Sequence, residues 1–263
     1  MNDQSLLVPS QRMAPTGGSR AGTVPTRVVT RAPGGSRRPS RTRSSRQHDS
    51  APRYESLAVT GPWTDSLRAR YLADTFDGLR VGHPHADLDF VRDLPGLRSV
   101  AVVAPVGDDT AVTGVRTVER LSLDDGCGLR LELSSLPRLR FLDLDDRDGL
   151  ESVAGCEGLE SLAVRGLRRE SIPWAGSSPL LRAVHLHGTG QELDLAGLAT
   201  CPGLGWLDLA DVRVETFEPL LACTELAWVS LRNVTVASLR TLRDLPRLRR
   251  LTLEGLRLDG GRP

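Results

Sequence analysis

Two histidines, His185 and His187, flank a single leucine, so on an extended segment both imidazoles project from one side. Such a pair could hold a metal, form a pH-sensitive element of an interface, or stand solvated. Side chains two apart on a strand lie roughly 6–7 Å from one another, which is wide for two ligands of one ion. No CxxC pair is present and the His residues are not suitably spaced, so neither a metal nor a cofactor is expected. A second constellation is acidic: Asp143, Asp145 and Asp146 beside Asp124 and Asp125. Paired carboxylates can perform acid–base chemistry. Here no nucleophile or Gly-rich phosphate loop accompanies them. A solvated acidic face that attracts a basic partner is the better expectation, and the chain's own Arg-rich N-terminal segment is one candidate for that partner.

The elements that must position these residues follow from a repeat. From Tyr54 onward, apolar residues recur in a fixed frame, clearest in Leu226, Val229, Leu231, Val234, Val236, Leu239, Leu242 and Leu245. Counting this unit from its opening residue, apolar side chains fall at offsets 0, 3, 5, 8, 10, 13, 16 and 19, and every unit keeps an aliphatic at offsets 3 and 5. The openers are Tyr54, Phe76, Leu97, Val118, Leu139, Leu159, Leu181, Leu204, Leu226 and Leu248, at intervals of 20 to 23 residues. Offsets 3 and 5 are two apart and point to one face of a strand, whereas the later positions are three apart and suit 3-10 or short helical turns. One unit cannot bury its own apolar side, but stacked units bury it against each other. A helical array would need a repeat of about 34–47 residues, longer than these units.

In these Leu-x-x-Leu-x-Leu units the sequence resembles the leucine-rich-repeat superfamily, in its short 22-residue, internalin-like class. The resemblance covers roughly residues 54–260 and implies an α/β solenoid. Its horseshoe would carry a parallel β-sheet on the concave face and 3-10 or short helical turns on the convex face. The family usually places Asn at offset 8. Here that offset holds Pro62, Pro84, Pro105, Gly126, Arg147, Leu167, Thr189, Val212, Val234 and Leu256, so the turn's backbone groups need other partners. Cys156, Cys201 and Cys223 each lie three residues before an opener, where Leu94, Leu136 and Leu245 stand in other units. A thiol alternating with Leu reads as a small buried apolar group.

With offsets 3 and 5 inward, offsets 2, 4 and 6 face out on the sheet. Offset 2 of units five to nine holds Phe141, Ser161, Ala183, Trp206 and Trp228. Offset 4 holds Asp143, Ala163, His185, Asp208 and Ser230, and offset 6 holds Asp145, Arg165, His187, Ala210 and Arg232. Trp206 and Trp228 should lie side by side about 5 Å apart, the spacing of adjacent strands. Tryptophan and arginine are enriched at interface hot spots. The expected partner-binding set is therefore Phe141, Asp143, Asp145, His185, His187, Trp206, Asp208, Trp228 and Arg232. Its alternative is that the indoles simply pack over the sheet.

Outside the repeats, residues 1–53 are rich in Arg, Ser, Pro and Gly and too poor in apolar residues to offset the entropy of ordering. They are expected to be a disordered basic tail, with ten Arg against Asp3 and Asp49. The remainder is acidic, with the other 24 Arg against 31 Asp and Glu. The 34 basic residues are all Arg, a bias that fits a high-GC genome such as that of an actinobacterium. No apolar run approaches the roughly 18 residues of a membrane span, and no signal-peptide core is apparent, so a cytoplasmic location is expected. A transit peptide is the alternative for an Arg- and Ser-rich leader. The function implied is a non-catalytic interaction module that binds an unidentified protein, one with a basic surface being favoured, through the concave sheet. Nucleic-acid association through the tail is the alternative, disfavoured by the absence of stacking aromatics there and by the acidic body. A monomer or weak dimer is expected.

Overall fold

The leucine-rich frame sets ten strands side by side. The structure is a computed structural model that describes residues 52–124 and 129–259. The tail expected over 1–53 falls, apart from Pro52 and Arg53, outside the described residues, as do Asp125, Gly126 and residues 260–263.

The strands are Ser56–Val59, Gly78–Val81, Ser99–Val102, Arg120–Leu123, Phe141–Asp145, Ser161–Leu167, Ala183–Gly188, Trp206–Ala210, Trp228–Arg232 and Arg250–Glu254. They form one parallel sheet in chain order, one rung per repeat unit. The pairings align equal offsets, as where Leu207 lies opposite Val229 and Leu209 opposite Leu231, except at the end of the sixth strand, where Leu167 lies opposite Gly188. Offsets 3 and 5 are buried from Leu57 and Val59 to Val229 and Leu231. In rung ten, Leu251 and Leu253 are only half-buried. Opposite the sheet, units two to nine each contribute a 3-10 helix, from Asp89–Asp93 to Arg240–Asp244. Unit one instead forms an α-helix, Asp65–Ala73, whose Arg, Ala and Leu content favours a helix. Its first turn is capped by Thr64, whose hydroxyl accepts from the Leu67 N–H at 3.3 Å.

The turns manage without an Asn ladder in two ways. At offset 7, one place earlier, Gly166, Asp211, Asn233 and Gly255 adopt left-handed backbone (φ 60°, 53°, 53° and 62°), which Gly, Asn and Asp tolerate best. The backbone beyond then pairs between rungs, as the short parallel strands Arg213–Val214, Thr235–Val236 and Arg257–Leu258. Offset 8 turns inward in this region, where Val212 and Val234 are buried.

Unit five uses a different device. Arg147, at offset 8, is buried and makes a two-pronged ion pair with buried Asp109, Nη1–Oδ2 at 2.6 Å and Nη2–Oδ1 at 3.0 Å. Its Nε donates to the Leu129 carbonyl at 3.0 Å. The pair joins unit three to unit five across unit four.

The three thiols are structural. Cys156, Cys201 and Cys223 are buried, and each Sγ donates to a carbonyl of an earlier unit, those of Leu133, Ala175 and Leu198. Burial pushes the thiol pKa values up, to about 11 for Cys156 and about 12 for Cys223. Ser178 occupies the same offset in unit six and donates to the Cys156 carbonyl.

Removing one partner of a buried ion pair strands the other's charge, at a cost of about 3–5 kcal/mol. Asp109→Ala is therefore expected to lower urea stability by that amount. Asp109→Leu with Arg147→Met should recover most of the loss. A single Asp109→Ala variant as stable as the parent would show that the pair carries no such strain.

Candidate partner-binding face

The open face of the sheet is built from the even offsets, and its residues fall into columns because the register never slips there. Trp206 and Trp228 are direct cross-strand partners. Their rings lie 4.6 Å apart between centroids, tilted by 32°, and both are half-buried. Neither indole enters the coil interior, which offsets 3 and 5 fill. The row extends at both ends. His185 lies 6.0 Å from Trp206, and the Arg250 guanidinium sits 4.8 Å over the Trp228 ring. Four side chains from rungs seven to ten thus form one stack, closed by a cation–π contact.

Asp208 lies beside this stack. Arg232 Nη2 donates to its Oδ2 at 2.9 Å, and His185 Nδ1 approaches the same oxygen at 3.6 Å. Burial alone would push the Asp208 pKa up. Hydrogen bonds from His185 and Ser230 and the Arg232 charge outweigh it and hold the carboxyl below its ordinary value. His187 points elsewhere: its Nε2 lies 2.8 Å from Asp211 Oδ2, while Asn233 Nδ2 donates to Asp211 Oδ1 at 3.2 Å. The two histidines thus face different carboxylates and do not converge. Among the described residues, no group of three His, Cys, Asp or Glu is placed to hold a metal ion.

The acidic cluster is not an open acidic patch. Arg165 reaches back along the sheet and contacts three carboxylates: Asp124 at 2.5 Å, Asp143 at 2.6 Å and Asp145 at 3.0 Å. Asp146 is nearly buried and is held by Arg169 Nε at 2.8 Å and by the Arg168 backbone N–H at 3.0 Å. The expected acidic face is therefore braced by arginine, while the side chains of Asp124, Asp143 and Asp145 stay 40–44% exposed. At offset 6 of the next rung stands an arginine long enough to gather these groups. Burial nevertheless pushes the Asp143 pKa up; Arg165 opposes the rise, and Asp124 and Asp145 add to it. Phe141, on the same rung as Asp143, is flanked by the guanidiniums of Arg140 at 5.6 Å and Arg120 at 6.0 Å. Between Phe141 and Trp206 the offset 2 column carries only Ser161 and Ala183.

Offset 1, beside the exposed columns, carries an ion ladder along the sheet margin. Arg98 grips Glu119 through Nε–Oε1 at 3.0 Å and Nη2–Oε2 at 2.9 Å and lies 3.6 Å from Asp77. Arg140 pairs with Glu160 at 2.6 Å, and the Tyr54 hydroxyl donates to Glu119 at 3.1 Å. Its signal was present in the alternating signs of Arg98, Glu119, Arg140, Glu160 and Arg182. Beyond the strand ends of rungs seven to ten lies a hollow of about 570 Å³ of mixed charge, with Asp211, Arg213, Asn233 and Arg257 in its wall.

No protein-family model matches the chain, and no curated protein matches its sequence. Solved structures do match in fold. An internalin from Listeria monocytogenes superposes with a TM-score of 0.56 at 16% identity, over 68% of this chain and 54% of the other. A leucine-rich-repeat protein from Leptospira interrogans gives a TM-score of 0.53 at 16% identity, over 73% of this chain and 52% of the other. The chain thus spans about half the length of these two structures, and at this identity the likeness establishes the fold.

The carboxyls of the open face should titrate in a definite order. Asp208, with its folded pKa below the unfolded value, stabilises the fold above the unfolded pKa, and that contribution is lost as pH falls through the folded pKa. Asp143 has the opposite sign: its ionised form costs stability near neutral pH, and the cost is relieved as pH falls through its raised pKa. Carbon-detected NMR should therefore show Asp143 titrating at higher pH than Asp208. The reverse order would contradict the network described.

Proposed function

We propose that this leucine-rich-repeat solenoid is a non-catalytic interaction module that grips a protein partner on the concave sheet. The observation that carries this reading is the aromatic row on rungs seven to ten. Two half-buried indoles stacked at 4.6 Å on an open sheet form a rigid, amphipathic surface. Exposed apolar patches of this kind mark contact sites. Trp206 and Trp228 are the anchors. Asp208 with Arg232 and His185, beside them, are the groups that select a partner by hydrogen bonding. Phe141, set between Arg120 and Arg140 and separated from Trp206 by small residues, gives a second contact point along the same column. Asp143 and Asp145 belong to this surface through Arg165 rather than as free carboxylates, and His187 stands at its rim against Asp211. A rigid repeat face of this type serves recognition well because little ordering is needed on binding.

An enzymatic role finds no support in the geometry. The perturbed carboxyls on the sheet are engaged by arginine, histidine and the Ser230 hydroxyl, which fixes them as structural and contact groups. No helix among the described residues is long and apolar enough to cross a membrane.

Truncating an aromatic hot spot costs at least about 2 kcal/mol of binding. Trp206→Ala with Trp228→Ala should therefore abolish capture of the proteins that the parent chain enriches from its host lysate. A chain lacking residues 1–53 should retain them, and so should a variant with the exposed convex Leu221 changed to Ala. An unchanged set of captured proteins with the double Trp variant would remove the concave face as the contact surface. Loss on tail deletion, with a steep dependence on salt, would point instead to nucleic acid held by the arginines.

A further inference from the structure

The two ends of the sheet are finished differently. At rung one, Leu57 and Val59 are fully buried, and Trp63 and Leu67 pack against the same core. At rung ten, Leu251 and Leu253 remain half-open, and Leu258 beyond them is 64% exposed. The backbone of this last strand is also half used. The Arg250 N–H donates to the Ala227 carbonyl at 3.0 Å, and the Glu254 carbonyl accepts from the Asn233 N–H at 2.7 Å. Residues alternate along a strand, so the N–H and C=O groups of Leu251 and Leu253 turn away from rung nine. Among the described residues, no strand lies on that side. Sheet edges are commonly blunted by charged side chains, proline or a bulge. In Arg-Leu-Thr-Leu-Glu, residues 250–254, the charges stand only at the two ends and are of opposite sign, and no proline interrupts the strand.

We propose that the Arg250–Glu254 edge pairs antiparallel with the same strand of a second copy, giving a two-fold dimer centred on Thr252. The sequence is self-complementary about that centre. A two-fold axis through Thr252 sets Leu251 opposite Leu253 of the second copy. Both residues offer outward backbone groups, so the two symmetric pairs exchange four N–H···O=C bonds. The same axis sets Arg250 opposite Glu254 of the second copy, on the open face, where opposite charges facing each other across strands are favourable. No ion pair engages the Glu254 carboxylate among the described residues, and Arg250 keeps its place over Trp228. Other registers are worse. Sliding the strands until Arg250 faces Arg250, or Glu254 faces Glu254, opposes like charges and loses backbone bonds. On the coil side, Leu251 and Leu253 of the two copies complete each other's half-open core. The pairing also joins the two concave sheets into one surface, with an aromatic stack on each side of the axis.

Light scattering on the full chain across a concentration series tests this. The mass should approach twice 28.5 kDa and stop there. Glu254→Arg places two arginines face to face and should weaken self-association at least tenfold, and Arg250→Glu alone should do the same with two glutamates. The double variant, Arg250→Glu with Glu254→Arg, restores opposite charges and should restore the dimer. Circular dichroism of each variant should match the parent, because both side chains are exposed. A parent chain that stays monomeric, a mass that keeps growing with concentration, single variants that still dimerise, or a double variant that stays monomeric would each overturn the proposal.

Discussion

Every surface property of this molecule depends on one constraint: the two aliphatic side chains at offsets 3 and 5 must enter the coil on every rung. Strand side chains alternate with a period of two, so a slip of one residue would turn the whole apolar set outward. The units vary between 20 and 23 residues, yet the strands remain aligned offset to offset. Length variation is absorbed in the turns. The one irregularity in the ladder falls between Val164 and Leu167, where Gly166 takes left-handed backbone. The columns that bring Trp206 beside Trp228, or Arg165 beside Asp145, are by-products of that inward packing. An interior leucine therefore does as much to place the open face as any residue on it.

The turns show how a fold can keep its register while changing its local chemistry. Interrung backbone pairing, left-handed residues at offset 7 and a buried arginine donating to the Leu129 carbonyl shape turns that lack a uniform Asn ladder. Arg147 is the most committed of these. A guanidinium and a carboxylate, each almost free of solvent contact, are stable only while both are present and hydrogen-bonded. Their span across unit four links two non-adjacent units directly, as Arg165 with Asp124 and Tyr54 with Glu119 also do, in an architecture where most contacts run between neighbours. The link adds cooperativity to an array that could fray unit by unit.

Most of the fold was legible in the sequence because the inward frame is a strict spacing rule, and spacing survives any choice of surface residue. The strand positions, the facing columns and the adjacency of Trp206 and Trp228 all follow from counting. What could not be counted is how long side chains cross between rungs. Arg165 spans two rungs to reach Asp124, so carboxylates that read as free from one column are ion-paired in the structure. His185 and His187 look alike on one strand but meet Asp208 and Asp211, which belong to different offsets. Arg250 belongs to rung ten, beyond the columns of units five to nine, and reaches Trp228 only through the length of its side chain. The Arg147–Asp109 pair was not visible either, since an arginine at a turn offset is normally a solvated one.

The same long side chains decide what the open face can offer. An indole on a sheet is costly to leave wet, but here each ring covers part of its neighbour, with His185 and Arg250 at the two ends of the row. The stack therefore arrives at a partner already assembled. Tryptophan has only two side-chain torsions, and these are held by contacts within the row, so little rotamer freedom is left to lose. Asp208 adds direction. Its lowered pKa keeps it ionised, while His185, Ser230 and Arg232 hold its orientation next to the rings. An apolar anchor with a fixed polar group at its side discriminates better than either alone, because a partner that covers the rings must also fit the ion-paired carboxylate beside them. Rungs seven to ten meet both conditions together, and for that reason they are the part of the sheet best suited to selective contact.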